Sequence, residues 1–78
     1  MNILKLLEAS DDRVIYQYTP EDEGCPGQVV HDRATCETTV FKRAEKDSYG
    51  KYGHFAINRV KEYVERNYFP LEVIQAWY

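Results

Sequence analysis

The chain is poor in the residues that most catalytic and metal-binding chemistry requires. Its 78 residues include two cysteines and two histidines, and Ser10 and Ser48 are the only serines. Cys25, His31, Cys36 and His54 could be counted as a zinc set, but their spacing matches no paired ligand pattern. Cys36 and His54 could be drawn as a thiol nucleophile and its base, yet nothing in the sequence brings them together and no oxyanion site is readable. Ser10 and Ser48 stand in turn and cap contexts. The glycines of Ser48-Tyr49-Gly50-Lys51-Tyr52-Gly53 lack the spacing and the Gly-Lys-Ser/Thr ending of a phosphate loop. No motif for a nucleotide, flavin or pyridoxal cofactor is present. The expectation is a protein that is not an enzyme and holds neither metal nor cofactor, with a small metal-binding or thiol enzyme as the distant alternative.

Positive charge does not outweigh negative: ten Lys and Arg stand against thirteen Asp and Glu. The net charge of −3 disfavours direct binding to nucleic acid, which relies on Lys and Arg to neutralise phosphates, and disfavours an anionic membrane surface. No apolar run approaches the ~20 residues of a membrane span. Met1 to Glu8 has no apolar stretch long enough for a signal peptide, so the expected location is cytoplasmic. A Cys25–Cys36 disulfide is not expected. A strand over residues 28–32 would hold the two roughly 20 Å apart, against the ~7 Å between Cα atoms that a disulfide allows. The acidic loop Glu21-Asp22-Glu23 does not place ligands at the alternate positions of a calcium loop and reads as a solvated connection.

What the chain does have is one strong helical period. Gly53, Ala56, Ile57, Val60, Tyr63, Val64 and Asn67 recur at steps of three and four, while Asn58, Arg59, Lys61, Glu62, Glu65 and Arg66 fall on the other side. This predicts an amphipathic helix from Tyr49 to Asn67, started by an Asp47 or Ser48 cap, stopped at Asn67 and kept from continuing by Pro70. Glu62–Arg66 and Lys61–Glu65 stand four apart on its outer side. Gly50 and Gly53 are costly in a helix start and imply close approach to a sheet.

Strand patterns surround the helix. Residues 2–9 fit a helix face or a strand; the strand is preferred because Ser10-Asp11-Asp12-Arg13 is turn chemistry and a clear strand follows. Residues 13–19 alternate, with Val14, Tyr16 and Tyr18 on one face and Ile15 and Gln17 on the other. Residues 28–32 and 37–44 read as a hairpin pairing Val30 with Thr39 and Val29 with Val40. Asp32 would bond its turn, and Cys36 would take the positive-φ position where Gly is usual. Residues 71–78 supply a last strand. The predicted fold is α+β: one domain over residues 1–78, an antiparallel sheet of four to five strands with one amphipathic helix packed on one face. His31 is placed on the sheet surface and His54 in the first helical turn.

With 78 residues the core is thin, and seven Tyr, three Phe and one Trp exceed what it can hold. Some aromatic rings must be exposed. Tyr49, Tyr52, Phe55, Trp77 and Tyr78, near the helix start and the chain end, are the candidate protein-binding residues, since Tyr and Trp dominate interface hot spots. Asp11, Asp12, Glu21, Asp22 and Glu23 form a candidate acidic surface.

The order VIYQY, acidic Gly/Pro loop, D-x-x-T-x-E hairpin, YGKYGHFAINRVKEY and closing FP…AWY resembles small α+β proteins of Gram-positive bacteria and of their phages and mobile elements. The resemblance covers nearly the whole chain. It is one of fold and turns, it implies a non-secreted location, and it brings no assigned activity. Two functions are expected from the whole reading. The first is a non-catalytic protein-binding module with an unknown protein partner. The alternative is an acidic phage-type inhibitor, a DNA mimic or anti-defence protein of anti-CRISPR-like character, acting on a nucleic-acid-binding protein. So thin a sheet also leaves an edge open to pairing as a homodimer.

Overall fold

In a computed structural model that describes residues 1–76, the chain folds as β1 (Asn2–Ala9), β2 (Arg13–Pro20), β3 (Gly27–Asp32), β4 (Glu37–Lys42), α1 (Lys51–Arg66) and β5 (Glu72–Gln75). The five strands form one antiparallel sheet in the order β4-β3-β2-β1-β5. The first four make a meander of hairpins. The helix then carries the chain back across one face, and β5 joins outside β1 at the opposite edge. The expected class and the strand reading of residues 2–9 both hold, and Val29 and Val30 pair with Val40 and Thr39 as the hairpin pattern required.

The turns follow from their residues. Asp32 Oδ1 accepts from the Ala34 amide (2.8 Å), the Cys36 amide donates to the Asp32 carbonyl (2.8 Å), and Cys36 has φ 61°. Glu21 and Asp22 are the central pair of a tight turn, both with positive φ, closed by Glu23 N–H to the Pro20 carbonyl (3.0 Å). A bulge in β1 between Leu6 and Glu8 shifts the register against β2.

The core lies between the sheet and α1. Leu4, Val14, Tyr16, Tyr18 and Val29 meet Ala56, Val60 and Tyr63. α1 packs mainly over β2, β3 and β4 and less over β1. Its inner side is the predicted one, with Ile57 and Val64 partly buried beside Gly53, Ala56, Val60 and Tyr63. Tyr16 and Tyr63 tilt together with ring centres 5.5 Å apart, and Tyr16 OH donates to the Pro70 carbonyl (2.6 Å).

The helix begins later than its period suggested, at Lys51, because Gly50 takes a left-handed conformation (φ 77°) that turns the chain into the helix. That turn lets Asp47, rather than Ser48, reach the first free amides. Its carboxylate accepts from the amides of Tyr52 (3.0 Å) and Gly53 (2.9 Å) and from Tyr18 OH (2.9 Å). The Ala44 amide in turn donates to Tyr18 Oη (3.1 Å). Close approach to the sheet explains Gly53 alone, since a Cβ there would stand 2.8 Å from Val40 Cγ2. Gly50 faces open space. Asn67 ends the helix with φ 52°, its amide directed at the Tyr63 and Val64 carbonyls. On the outer side the ion pair is Arg59–Glu62 (3.8 Å), not the predicted Glu62–Arg66 or Lys61–Glu65.

Candidate protein-binding surface

One helix covers one face of a five-stranded sheet. The strand alternation therefore sends every second side chain to a face over which no described helix or strand packs. Register places Ile3, Lys5, Glu8, Arg13, Ile15, Gln17, Thr19, Gln28, Val30, Asp32, Glu37, Thr39, Lys42, Glu72 and Ile74 there. Ile15 and Val30 pair directly, as do Ile3 and Ile74. Phe41, beside the β3–β4 bulge, is 74 % exposed; Ile74 is 63 % exposed and Leu7 half exposed. A shallow hollow of about 330 Å³ runs between Arg13, Ile15, Gln28, Val30 and Phe41.

Four of the charges on this face form two ion pairs. Arg13 Nε donates to Glu8 Oε2 (3.0 Å), and Ser10 Oγ donates to the same oxygen (3.0 Å). The bond from Arg13, then the one from Ser10, holds the Glu8 carboxyl below its usual range, and Glu8 raises Arg13. Lys5 and Glu72 stand 3.9 Å apart across β1 and β5.

The covered face carries more polar groups. Asn2 is fully buried; its Nδ2 donates to the Tyr52 carbonyl (3.1 Å) and to Gln75 Oε1 (3.3 Å), while Gln75 Nε2 donates to the Phe55 carbonyl (2.8 Å). Two amides on neighbouring strands thus tie the first turns of α1 to β1 and β5. Burial raises the pKa of the Tyr16 hydroxyl, with Tyr63 and Tyr68 adding to it, and pushes Tyr18 up to about 12.

His31 belongs to this covered face. It is 5 % exposed, with Nδ1 2.8 Å from Thr38 Oγ1, which corrects its expected place on an open sheet surface. Its strand neighbour Val29 points the same way, so alternation put both under the helix. Burial, followed by the nearby Arg33, lowers its pKa. With Cys36, Thr38, Lys61, Val64 and Glu65 it lines a hollow of about 260 Å³ at the far end of α1. His54 sits in the first turn, seven residues and ~10 Å of helix from Lys61, so it is not the histidine beside Cys36. Cys25 and Cys36 are exposed free thiols. Among the described residues no three His, Cys, Asp or Glu side chains converge as a metal-ligand set.

The aromatic residues singled out in the sequence are partly gathered. Tyr49 is almost fully exposed just before the helix, beside a hollow of about 190 Å³ shared with Lys46, Asp47, Ser48, Lys51 and Tyr52. Tyr52 is partly buried against the core and Phe55 is also partly buried. Trp77 and Tyr78 lie outside the described residues. The acidic residues are not gathered. Asp11 and Asp12 occupy the β1–β2 turn, while Glu21, Asp22 and Glu23 occupy the β2–β3 loop. The length of β2, roughly 25 Å, lies between the two groups. Glu21 is further engaged by the Met1 ammonium (2.7 Å to Oε2). No helix among the described residues is long and apolar enough to cross a membrane.

The uncovered sheet face is not among the binding residues expected from the sequence. Its signal was available: a single helical period cannot cover both faces of five strands, and Ile15 had already been assigned opposite to Tyr16 and Tyr18. No protein-family model, curated protein or solved structure matches this chain.

Proposed function

We propose that the chain is a non-catalytic protein-binding module and that it binds through the open face of its sheet. One observation carries this reading: the sheet face without the helix keeps an apolar cluster among its polar residues. Ile15 and Val30 pair there, partly buried, beside Phe41, which is largely exposed, and Ile74 is exposed nearer the β5 edge. Contiguous exposed apolar surface of this kind marks interaction sites in soluble domains. Tyr49 and the helix start form a smaller surface, because Tyr52 and Phe55 are already drawn against the protein. The acidic-inhibitor alternative has less support, since its five carboxylates are split between two ends of the sheet.

The test is capture of binding partners on immobilised protein at low and high salt, with wild type, Ile15→Lys and Tyr49→Ala. Binding that survives high salt, disappears in Ile15→Lys and persists in Tyr49→Ala is the expected result. Loss in Tyr49→Ala with retention in Ile15→Lys moves the site to the helix start. Binding abolished by salt alone favours the acidic reading.

A further inference from the structure

Resting on the open sheet face as the binding surface, we infer that its occupant is a second copy of this chain, docked face to face about a two-fold axis. Three features of the face favour a copy over a foreign partner. The first is charge. The face carries two internal ion pairs, Arg13 with Glu8 and Lys5 with Glu72, and the register adds Lys42 at one end of the β3–β4 hairpin and Asp32 and Glu37 at the other. Charges of both signs nearly balance over the face, so two copies meet with little net like charge, and the separated Lys42 and Asp32–Glu37 ends can face each other across a two-fold axis. Gln17, Gln28 and Thr39 between the pairs are neutral.

The second feature is shape. A two-fold contact must be self-complementary, so one patch has to supply both a projection and a recess for it. Phe41 stands out at 74 % exposure and borders the hollow floored by Ile15 and Val30. At about 330 Å³ that hollow has room for an aromatic side chain. Around a two-fold axis each Phe41 enters the hollow of the other copy, and Ile15 and Val30 form its floor. Sheets packed in this way stand ~10 Å apart with their inner side chains interdigitated.

The third feature is area. The molecule measures 31 × 20 × 18 Å, and five strands ~4.8 Å apart and up to eight residues long need its two longer dimensions. The sheet face is roughly 600 Å² in flat projection, and a side-chain surface exceeds its projection, so one face supplies the ~800 Å² per partner of a standard specific interface. Face-to-face packing is an alternative to the sheet-edge dimer expected from the sequence, whose β4 edge is six residues long.

Sedimentation equilibrium of the purified chain across a wide concentration range tests this, using wild type and Ile15→Lys. Ile15 is on the central strand, out of reach of a partner paired at either edge. A wild-type dimer whose dissociation constant rises by more than about a hundredfold in Ile15→Lys is the expected result, since the substitution enters the contact twice. Should Ile15→Lys fail to fold, covalent footprinting of wild type at low and high concentration reads the same face, with protection of Ile15, Val30 and Phe41 expected on concentration. A dimer unaffected by Ile15→Lys, or equal labelling of Ile15 and Val30 at both concentrations, overturns the inference. Wild type that stays monomeric throughout also overturns it. In that case partner capture sensitive to Ile15→Lys preserves the open face as a binding site, and capture insensitive to it removes both.

Discussion

The two faces of this sheet share five strands but differ in how their side chains are used. Under the helix, hydroxyl, amide and carboxylate groups are buried and bonded: Tyr18 to Asp47, Asn2 to Gln75, Gln75 to the backbone of Phe55. Opposite, the apolar side chains carry no polar handle, and apart from buried Ile3 they remain partly or largely exposed. The difference shows what a small domain needs from its core. Apolar burial alone does not set where one helix sits on a sheet, because it is not directional. The hydrogen bonds that Asn2 and Gln75 donate to the first turns of α1, and that Asp47 accepts from them, are directional, and they fix the placement. The open face has no such task.

The most severe way to break this comparison is to truncate the same residue type on each face of one strand. Leu4 is fully buried and Leu7 half exposed, both on β1. Leu4→Ala is expected to lose ~2–5 kcal/mol through lost burial and the cavity left behind. Leu7→Ala is expected to stay within ~0.5 kcal/mol. Urea denaturation of the two variants, at concentrations low enough to hold the chain monomeric, measures both. Similar losses would mean that the face carrying Leu7 is as much a core as the other.

A smaller effect separates the two residues that could have capped the helix. Asp47→Ala removes the acceptor for Tyr18 OH and for the amides of Tyr52 and Gly53. Leaving such buried donors without partners is expected to cost ~2–3 kcal/mol. Ser48→Ala, which touches none of them, is expected to change stability by less than ~0.5 kcal/mol. Thermal melts of both variants decide it, and equal losses would remove Asp47 from its role.

Much of the fold was legible because local chemistry and tertiary packing agree. The 3.6-residue period gave the inner side of α1, the alternation of Val14, Tyr16 and Tyr18 gave the faces of β2, and the Asp32 turn chemistry gave the hairpin register and the positive φ of Cys36. What was not legible depends on a choice between equivalent alternatives. Alternation separates Ile15 from Tyr16 but does not say which of them meets the helix, and hydrophobicity alone would favour burying isoleucine. His31 was misplaced for the same reason: its position under α1 follows from Val29, and nothing local marks Val29 as inward. Gly50 was read with Gly53 because both are glycines near a helix start. One is needed for a left-handed turn and the other for proximity to Val40, and a sequence shows neither geometry. The acidic residues are close in composition but divided in space, because β2 separates the two turns that carry them.

The smallest predicted effect distinguishes the faces by pH. On the covered face His31 has a pKa held below that of an unfolded histidine, so the unfolded chain binds its proton first as pH falls. The contribution of neutral His31 is complete above the unfolded value of ~6.5 and is lost progressively as pH drops from there towards the lower folded value. On the open face Glu8 is held low by Arg13, so its contribution is complete above ~4.5 and is lost only at more acid pH. Melting temperatures between about pH 7.5 and 5.5 should therefore report His31 and leave the Glu8–Arg13 pair silent. Wild type is expected to lose melting temperature across this window. His31→Gln, which retains a polar group near Thr38 without a titratable ring, is expected to flatten that slope, and Glu8→Gln is expected to leave it unchanged. A slope that survives His31→Gln would place the titrating group elsewhere and would mean that the ring of His31 meets water freely, as a residue of the open face does.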